Sequence, residues 1–418
     1  MPLRYRSDAS QTQEAIQDML KCRFLGPLVA SVIISAALTS CGTVTPAATP
    51  TATRTPALVA TTTPVPPTAT PPPTETATPR PSPAAAAQVS TPLPPDVDPL
   101  TGLKVADETL LDRIPVAIKV SNSPEVRPQS GLGSADLVFE HFAEGGITRF
   151  TAVFYPNDPE KVGSVRSGRL IDLEIPAMYH ALFGYSGSSA GVKERIRHSD
   201  LFPDYIAAPD FGVGEPYFYR IPQPGKAFEH TLFTNPAVLR ELAEERGINE
   251  RPDYPVLMTF SEATPPGGES ADYFEVNYLP GVCTAEWAYD PETERWQRSI
   301  AGTPHTDALT GEQITAANVI LVFANHVYTD IQEDTWGGGH WSIEIQVWGQ
   351  GPVLVFRDGQ LFSGYWKREE RHHMLTFYHG DGTPLPLKPG NSWIQLLPLD
   401  TESSGVEDGQ IVFTPPKM

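Results

Sequence analysis

Residues 41–98 hold 15 of the chain's 44 prolines and as many threonines, with almost no aromatic or large apolar side chains. Such a stretch ("TPPPTETATPRPSP" is typical of it) cannot bury enough apolar surface to offset its ordering entropy, and its prolines bias it toward extended polyproline II. It is expected to be a disordered stalk. At ~3.1 Å per residue it would span on the order of 150 Å when fully extended, so the globular structure is left to the residues beyond it.

What precedes the stalk says where the chain goes. Lys21 and Arg23 form a basic start, and Phe24 to Leu38 form an apolar core too short for a permanent span, so residues 1–40 are expected to be a secretory signal. The run Leu38-Thr39-Ser40-Cys41 resembles a bacterial lipobox, which makes Cys41 the expected lipidation site. Acyl chains on Cys41 would then make the membrane a partner and place the chain outside the cytoplasm, anchored to the bacterial cell membrane. Asp8, Glu14 and Asp18 are foreign to a signal leader, and translation from Met19 would remove them.

Charge and cysteines exclude whole classes of function. The chain carries 50 acidic against 30 basic residues, a net charge of −20 that argues against wrapping nucleic acid. Cys22, Cys41 and Cys283 are too few and too scattered for a disulfide framework or a thiolate metal site. The histidines, His305 and His372-His373 among them, lack metal-ligand spacing, so neither a metal nor another cofactor is expected.

Beyond the stalk the pattern predicts an α+β fold. Residues 99–260 read as an N-terminal α/β-type domain: a strand at "IPVAIKV", a hairpin of "ADLVFEHF" and "ITRFTAVFY" about Gly145-Gly146, an apolar-periodic "LIDLEIPAMYHAL", and a helix "PAVLRELAEER" between Asn235 and Gly247. The polar, Pro/Gly-rich 261–270 reads as a boundary, and 271–418 as a mostly β C-terminal domain that holds all seven tryptophans.

Several blocks together resemble the YerB-like bacterial lipoproteins, whose conserved region is a two-part domain of unknown function. They are "PLTGL" at 99–103, "RPQSGLGSAD" at 127–136, "EGGITRF" at 144–150 and "VGSVRSGR" at 162–169, then "YDPETERWQRSIAGTPHTD", "NVILV" and "GNSWIQLLP". The resemblance implies a surface lipoprotein with two domains, and no chemistry.

Candidate residues therefore come from the sequence itself. Arg166 and Arg169 sit in "SVRSGR" between a predicted strand and a predicted helix, with Ser164 and Ser167 beside them. Together with Arg127 and Arg149 they could converge on a carboxylate or phosphate of an anionic cell-wall ligand. The competing reading pairs these arginines with Glu140, Glu144 and Asp172 in a structural network. Two catalytic alternatives imply a cell-wall hydrolase: Glu140 and Glu144 as the paired acids of a glycosidase, or Ser186 in "GYSGSS" as the nucleophile of an ester- or amide-cleaving elbow. Binding through the arginine cluster is the preferred reading. Whether any reaction is catalysed stays open.

Overall fold

Runs of β-branched and aromatic residues become the strands that carry the fold. In this computed structural model, which describes residues 93–334, 338–405 and 410–418, Val116–Ser121 (β1), Leu137–Phe142 (β2) and Thr148–Phe154 (β3) are buried along almost their whole length. The signal segment, Cys41, the stalk as far as residue 92, and Trp336 lie outside the described residues. β2 and β3 form the expected hairpin, whose turn needs glycine because Gly145 and Gly146 take φ of 70° and 76°. Leu182–Gly184 (β4) extends the sheet parallel to β1 and leads through a serine-rich loop into Ala190–Arg197 (α1). Ile206–Ala207 (β5) closes this edge. Pro236–Glu245 (α2) starts where Asn235 caps the Val238 N–H at 2.9 Å.

The first segment is less helical than an α/β domain requires. Among the described residues, α1 and α2 are its only helices longer than a single turn. The run "LIDLEIPAMYHAL", expected as a helix, is split into a 3-10 turn Leu170–Leu173 and an α-turn Ile175–Met178. Two causes are visible. Asp172 turns its carboxylate back to the Arg169 N–H at 2.7 Å, and Pro176 has no N–H with which to continue a helical ladder. The described residues are mostly β with few helices, where α+β was expected.

The remaining strands of four or more residues come after residue 270. They are Tyr273–Asn277 (β6), Thr284–Asp290 (β7), Arg295–Ile300 (β8), Asn318–Gln332 (β9), Trp341–Gln346 (β10), Gly349–Arg357 (β11), Gln360–Arg368 (β12), Thr376–His379 (β13), Ser392–Pro398 (β14), Glu402–Gly405 (β15) and Gln410–Thr414 (β16). The main sheet runs β13-β12-β11-β9-β14-β2-β3-β1-β4-β5, with β10 paired to the far half of β9. Its centre is β14, which lies parallel to β9 on one side and to β2 on the other, with Ser392 opposite both Asn318 and Leu137.

Sequence on both sides of 261–270 thus contributes to one continuous sheet. Separating the two segments would expose the edges of β2 and β14, both buried at every position. A second sheet, ordered β8-β7-β6-β16-β15, covers one face of the first. Phe274 stacks on Phe356 at 3.8 Å between ring centroids, and Trp287 meets Trp393 edge-on at 5.6 Å. Trp287, Trp296, Trp366 and Trp393 are core, whereas Trp341 and Trp348 are exposed. No helix among the described residues is long and apolar enough to cross a membrane.

Candidate functional site

The two-residue period of a strand sends Glu140 and His141 to opposite faces of the main sheet, and this separates two buried polar networks. On the face covered by the second sheet, Glu140 accepts from Thr148 Oγ1 at 2.9 Å, Arg298 Nη2 at 2.9 Å and Trp393 Nε1 at 3.0 Å. The Glu140 and Arg298 side chains have no solvent exposure, and the guanidinium lies over the Trp393 ring at 4.6 Å. Arg298 also meets His305 Nδ1 at 2.6 Å, and His305 Nε2 meets Gln129 Oε1 at 2.8 Å. Every partner of Glu140 is internal. It faces no cleft in which it could serve as one of two acids flanking a sugar bond.

On the opposite face Lys119 Nζ is 2.8 Å from the Asp172 carboxylate, 3.0 Å from Thr151 Oγ1 and 2.5 Å from His141 Nε2. All four side chains are buried. Burial holds the Lys119 ammonium down to about 7, against the opposing pull of Asp172. Burial, and then the charge of Lys119, keep His141 well below the usual imidazole range. Sequence reading passed over both residues, although a lone lysine inside the apolar "IPVAIKV" is a visible signal.

The four arginines of the predicted cluster meet different fates. Arg149 Nη2 lies 3.2 Å from Glu144, and Arg169 forms an ion pair with the same carboxylate. Arg169 also donates to the Gly168 carbonyl at 2.8 Å, and its Nε stands 3.8 Å from Glu333 Oε2. Arg149 donates to the Ser167 carbonyl at 3.1 Å, and burial lowers its guanidinium to about 10. Arg127 is directed elsewhere, to the carbonyls of Asn122 at 2.6 Å and Val282 at 2.8 Å and to Cys283 Sγ at 3.4 Å. The remaining member is Arg166. Half-buried, its guanidinium has no hydrogen-bond or ion-pair partner among the described residues. Burial and then the neighbouring Arg149 lower its pKa, while Glu229 and Glu125 act on it only from beyond ion-pair distance.

The backbone around Arg166 is fixed on both sides. Its N–H donates to the Lys119 carbonyl at 3.0 Å, its carbonyl accepts from the Ser186 N–H at 3.0 Å, and the Gly168 N–H reaches the Gly187 carbonyl at 2.9 Å. The loops "SVRSGR" and "GYSGSS" are therefore paired. Glycine relieves crowding in this seam, since a Cβ on Gly168 would stand 3.0 Å from the Tyr185 ring, closer than ordinary van der Waals contact. Ser164 is buried, with its hydroxyl toward the Glu229 carbonyl at 3.5 Å, whereas Ser167 and Ser186 are only partly buried. Ser186 has no imidazole or carboxylate hydrogen-bonded to its hydroxyl among the described residues, so the geometry of an activated nucleophile is not assembled around it. Ser189 caps α1 by accepting from the Val192 N–H.

Residues 100–249 match the N-terminal domain, and residues 274–394 the C-terminal domain, of the family described as protein of unknown function DUF3048. The chain is 32% identical over 315 residues to "Putative lipoprotein YerB" of Bacillus subtilis (strain 168), covering 75% of this chain and 89% of that protein. The chain belongs to the DUF3048 family. Among solved structures, the crystal structure of the Bacillus subtilis YerB protein superposes with a TM-score of 0.60 at 29% identity, over 73% of this chain and 97% of that one. In this DUF3048 protein the matched stretches contain β2 and the start of β14, Ser392 to Ile394, the strands whose pairing joins the two segments.

Proposed function

We propose that this protein is a membrane-anchored envelope lipoprotein that binds a carboxylate- or phosphate-bearing wall component, with Arg166 as the primary contact. The observation that carries this reading is the division of labour within the cluster: Arg149 and Arg169 are both ion-paired with Glu144, Arg127 is committed to carbonyls, and Arg166 is left charged without a partner among the described residues. An incoming anion would relieve the desolvation and the repulsion from Arg149 that Arg166 now bears. Ser167 and Ser186, partly exposed in the same seam, supply further donors. The acids of the hydrolase reading are engaged elsewhere, Glu140 with Arg298 in the interior and Glu144 with two arginines.

The test is calorimetric titration with soluble peptidoglycan fragments and with polyglycerol phosphate. Native protein is expected to bind at least one of the two, and Arg166→Ala to weaken that binding by about 1.5–3 kcal/mol, the worth of a charge-assisted hydrogen bond. Unchanged affinity in the variant would remove Arg166 from the site.

The anchor rests on the lipobox ending at Cys41 and on the lipoprotein name of the Bacillus relative. Replacing Cys41 by Ala is expected to move the protein from the membrane fraction to the soluble one. Retention of Cys41→Ala in the detergent-dependent fraction would contradict lipid anchoring.

A further inference from the structure

A groove of about 140 Å³ lies between the β2–β3 turn and the β9–β10 hairpin, some way along the Glu144 side of the arginine cluster. Its walls include Glu144, Gly145, Tyr328, His340, Trp341 and Ile343. The register of the hairpin explains the wall: Tyr328 stands opposite Ile343, and Trp341 is two residues from Ile343 on the same strand, so all three fall on one face. Tyr328 and Trp341 keep 50% and 42% of their surface exposed, large values for aromatic side chains that line one depression.

A second, smaller cavity of about 10 Å³ adjoins the groove, sharing Glu144, Trp341 and Ile343 with it and adding Arg169, Glu333 and Ser342. Such a space accommodates about one water-sized oxygen. Arg169 Nε is buried there without a hydrogen-bond partner, on a residue only 6% exposed. Glu333 Oε2 stands 3.8 Å from it, too far to accept directly. Buried donors are rarely left unpaired, and the atom that fits between a donor and a carboxylate is one that both accepts and donates, a hydroxyl.

We infer that this groove binds a neutral hexopyranose unit of a glycan. The ring stacks its C–H face on Trp341 and Tyr328, and one hydroxyl enters the small cavity, accepting from Arg169 Nε and donating to Glu333. His340 and Glu144 at the rim hydrogen-bond the remaining hydroxyls. An aromatic platform with a few convergent polar groups is the general make-up of a small-molecule site, and the polar groups here suit a polyol better than an apolar peptide. The site goes beyond the anion reading, because it uses a neutral ligand and none of its contacts is Arg166.

The probes are N,N′,N″-triacetylchitotriose and cellotriose, both uncharged, titrated against the native protein, Trp341→Ala, Trp348→Ala and Arg166→Ala. Trp348 is as exposed as Trp341 but lies outside the groove, so it controls for non-specific stacking. Native protein is expected to bind at least one trisaccharide, with quenching of tryptophan fluorescence. Trp341→Ala should lose about tenfold or more in affinity, while Trp348→Ala and Arg166→Ala stay unchanged. The inference is overturned if neither trisaccharide binds native protein, if Trp341→Ala binds as native does, or if an apolar peptide occupies the groove and the sugars do not displace it. Loss of anion binding in Arg166→Ala with trisaccharide binding retained would separate the two sites.

Discussion

Replacing Arg298 by Met is expected to lower the unfolding free energy by about 3–5 kcal/mol in urea titration, because it strands Glu140 as a buried carboxylate without its counter-charge. The pair has no solvent exposure on either side, and it connects β2 in the first family segment to β8 in the second. Trp393 Nε1 would remain as a donor to Glu140, but a neutral donor does not replace a guanidinium. The same experiment tests the continuity of the fold. Since β14 is held between β9 and β2, probes in both segments should report one coincident transition in the native protein. Two separated transitions, or an Arg298→Met variant as stable as native, would show that the segments fold apart and that the Glu140 network does not join them.

The second large effect concerns pH. Lys119 titrates near 7 in the folded chain because it is buried, and near 10.5 when unfolded. As pH falls from above 10.5, the unfolded chain takes up this proton first, so the stability associated with Lys119 is full at high pH and declines until the folded group also protonates near 7. The slope from one proton is at most about 1.4 kcal/mol per pH unit. Lys119→Met should abolish that slope, so native protein should lose stability relative to the variant as pH is lowered from 10 to 7. Parallel stability curves for the two proteins across this window would mean that Lys119 keeps an ordinary pKa.

Local features of the fold were legible in the sequence, and pairings between distant residues were not. "ADLVFEHF" and "ITRFTAVFY" with glycines between them signalled the hairpin, and Asn235-Pro236 with Gly247 signalled α2, because strand alternation, capping and positive φ are settled by neighbours a few residues apart. The pairing of "SWIQLLP" with "LVFE" joins residues about 250 apart, and nothing in either stretch names its partner. The helix expected in "LIDLEIPAMYHAL" failed for a related reason. Its apolar period is real, but Asp172 is drawn inward by Lys119, a contact visible only once β1 and the turn are placed together. At the site, the four arginines could be picked out as a group from their spacing and their scarcity. Their division into clamped and free depended on distant partners: the β2–β3 turn presents Glu144 to Arg149 and Arg169, the Val282 carbonyl takes Arg127, and Arg166 receives neither. Glu333 and Trp341 were invisible as site residues, since they arrive on a hairpin more than 160 residues further along the chain.

The proposal that Arg166 is the arginine reserved for a ligand is tested most directly by melting native protein and Arg166→Ala side by side, each with and without soluble peptidoglycan fragments. A group with no internal partner contributes little to the fold, so the variant should start within about 0.5 kcal/mol of native stability. Ligand that binds only the folded state should raise the native melting temperature in a concentration-dependent way and leave the variant's almost unmoved. A variant that melts well below native, with fragments shifting neither protein, would contradict the account and return Arg166 to the structural network of its neighbours.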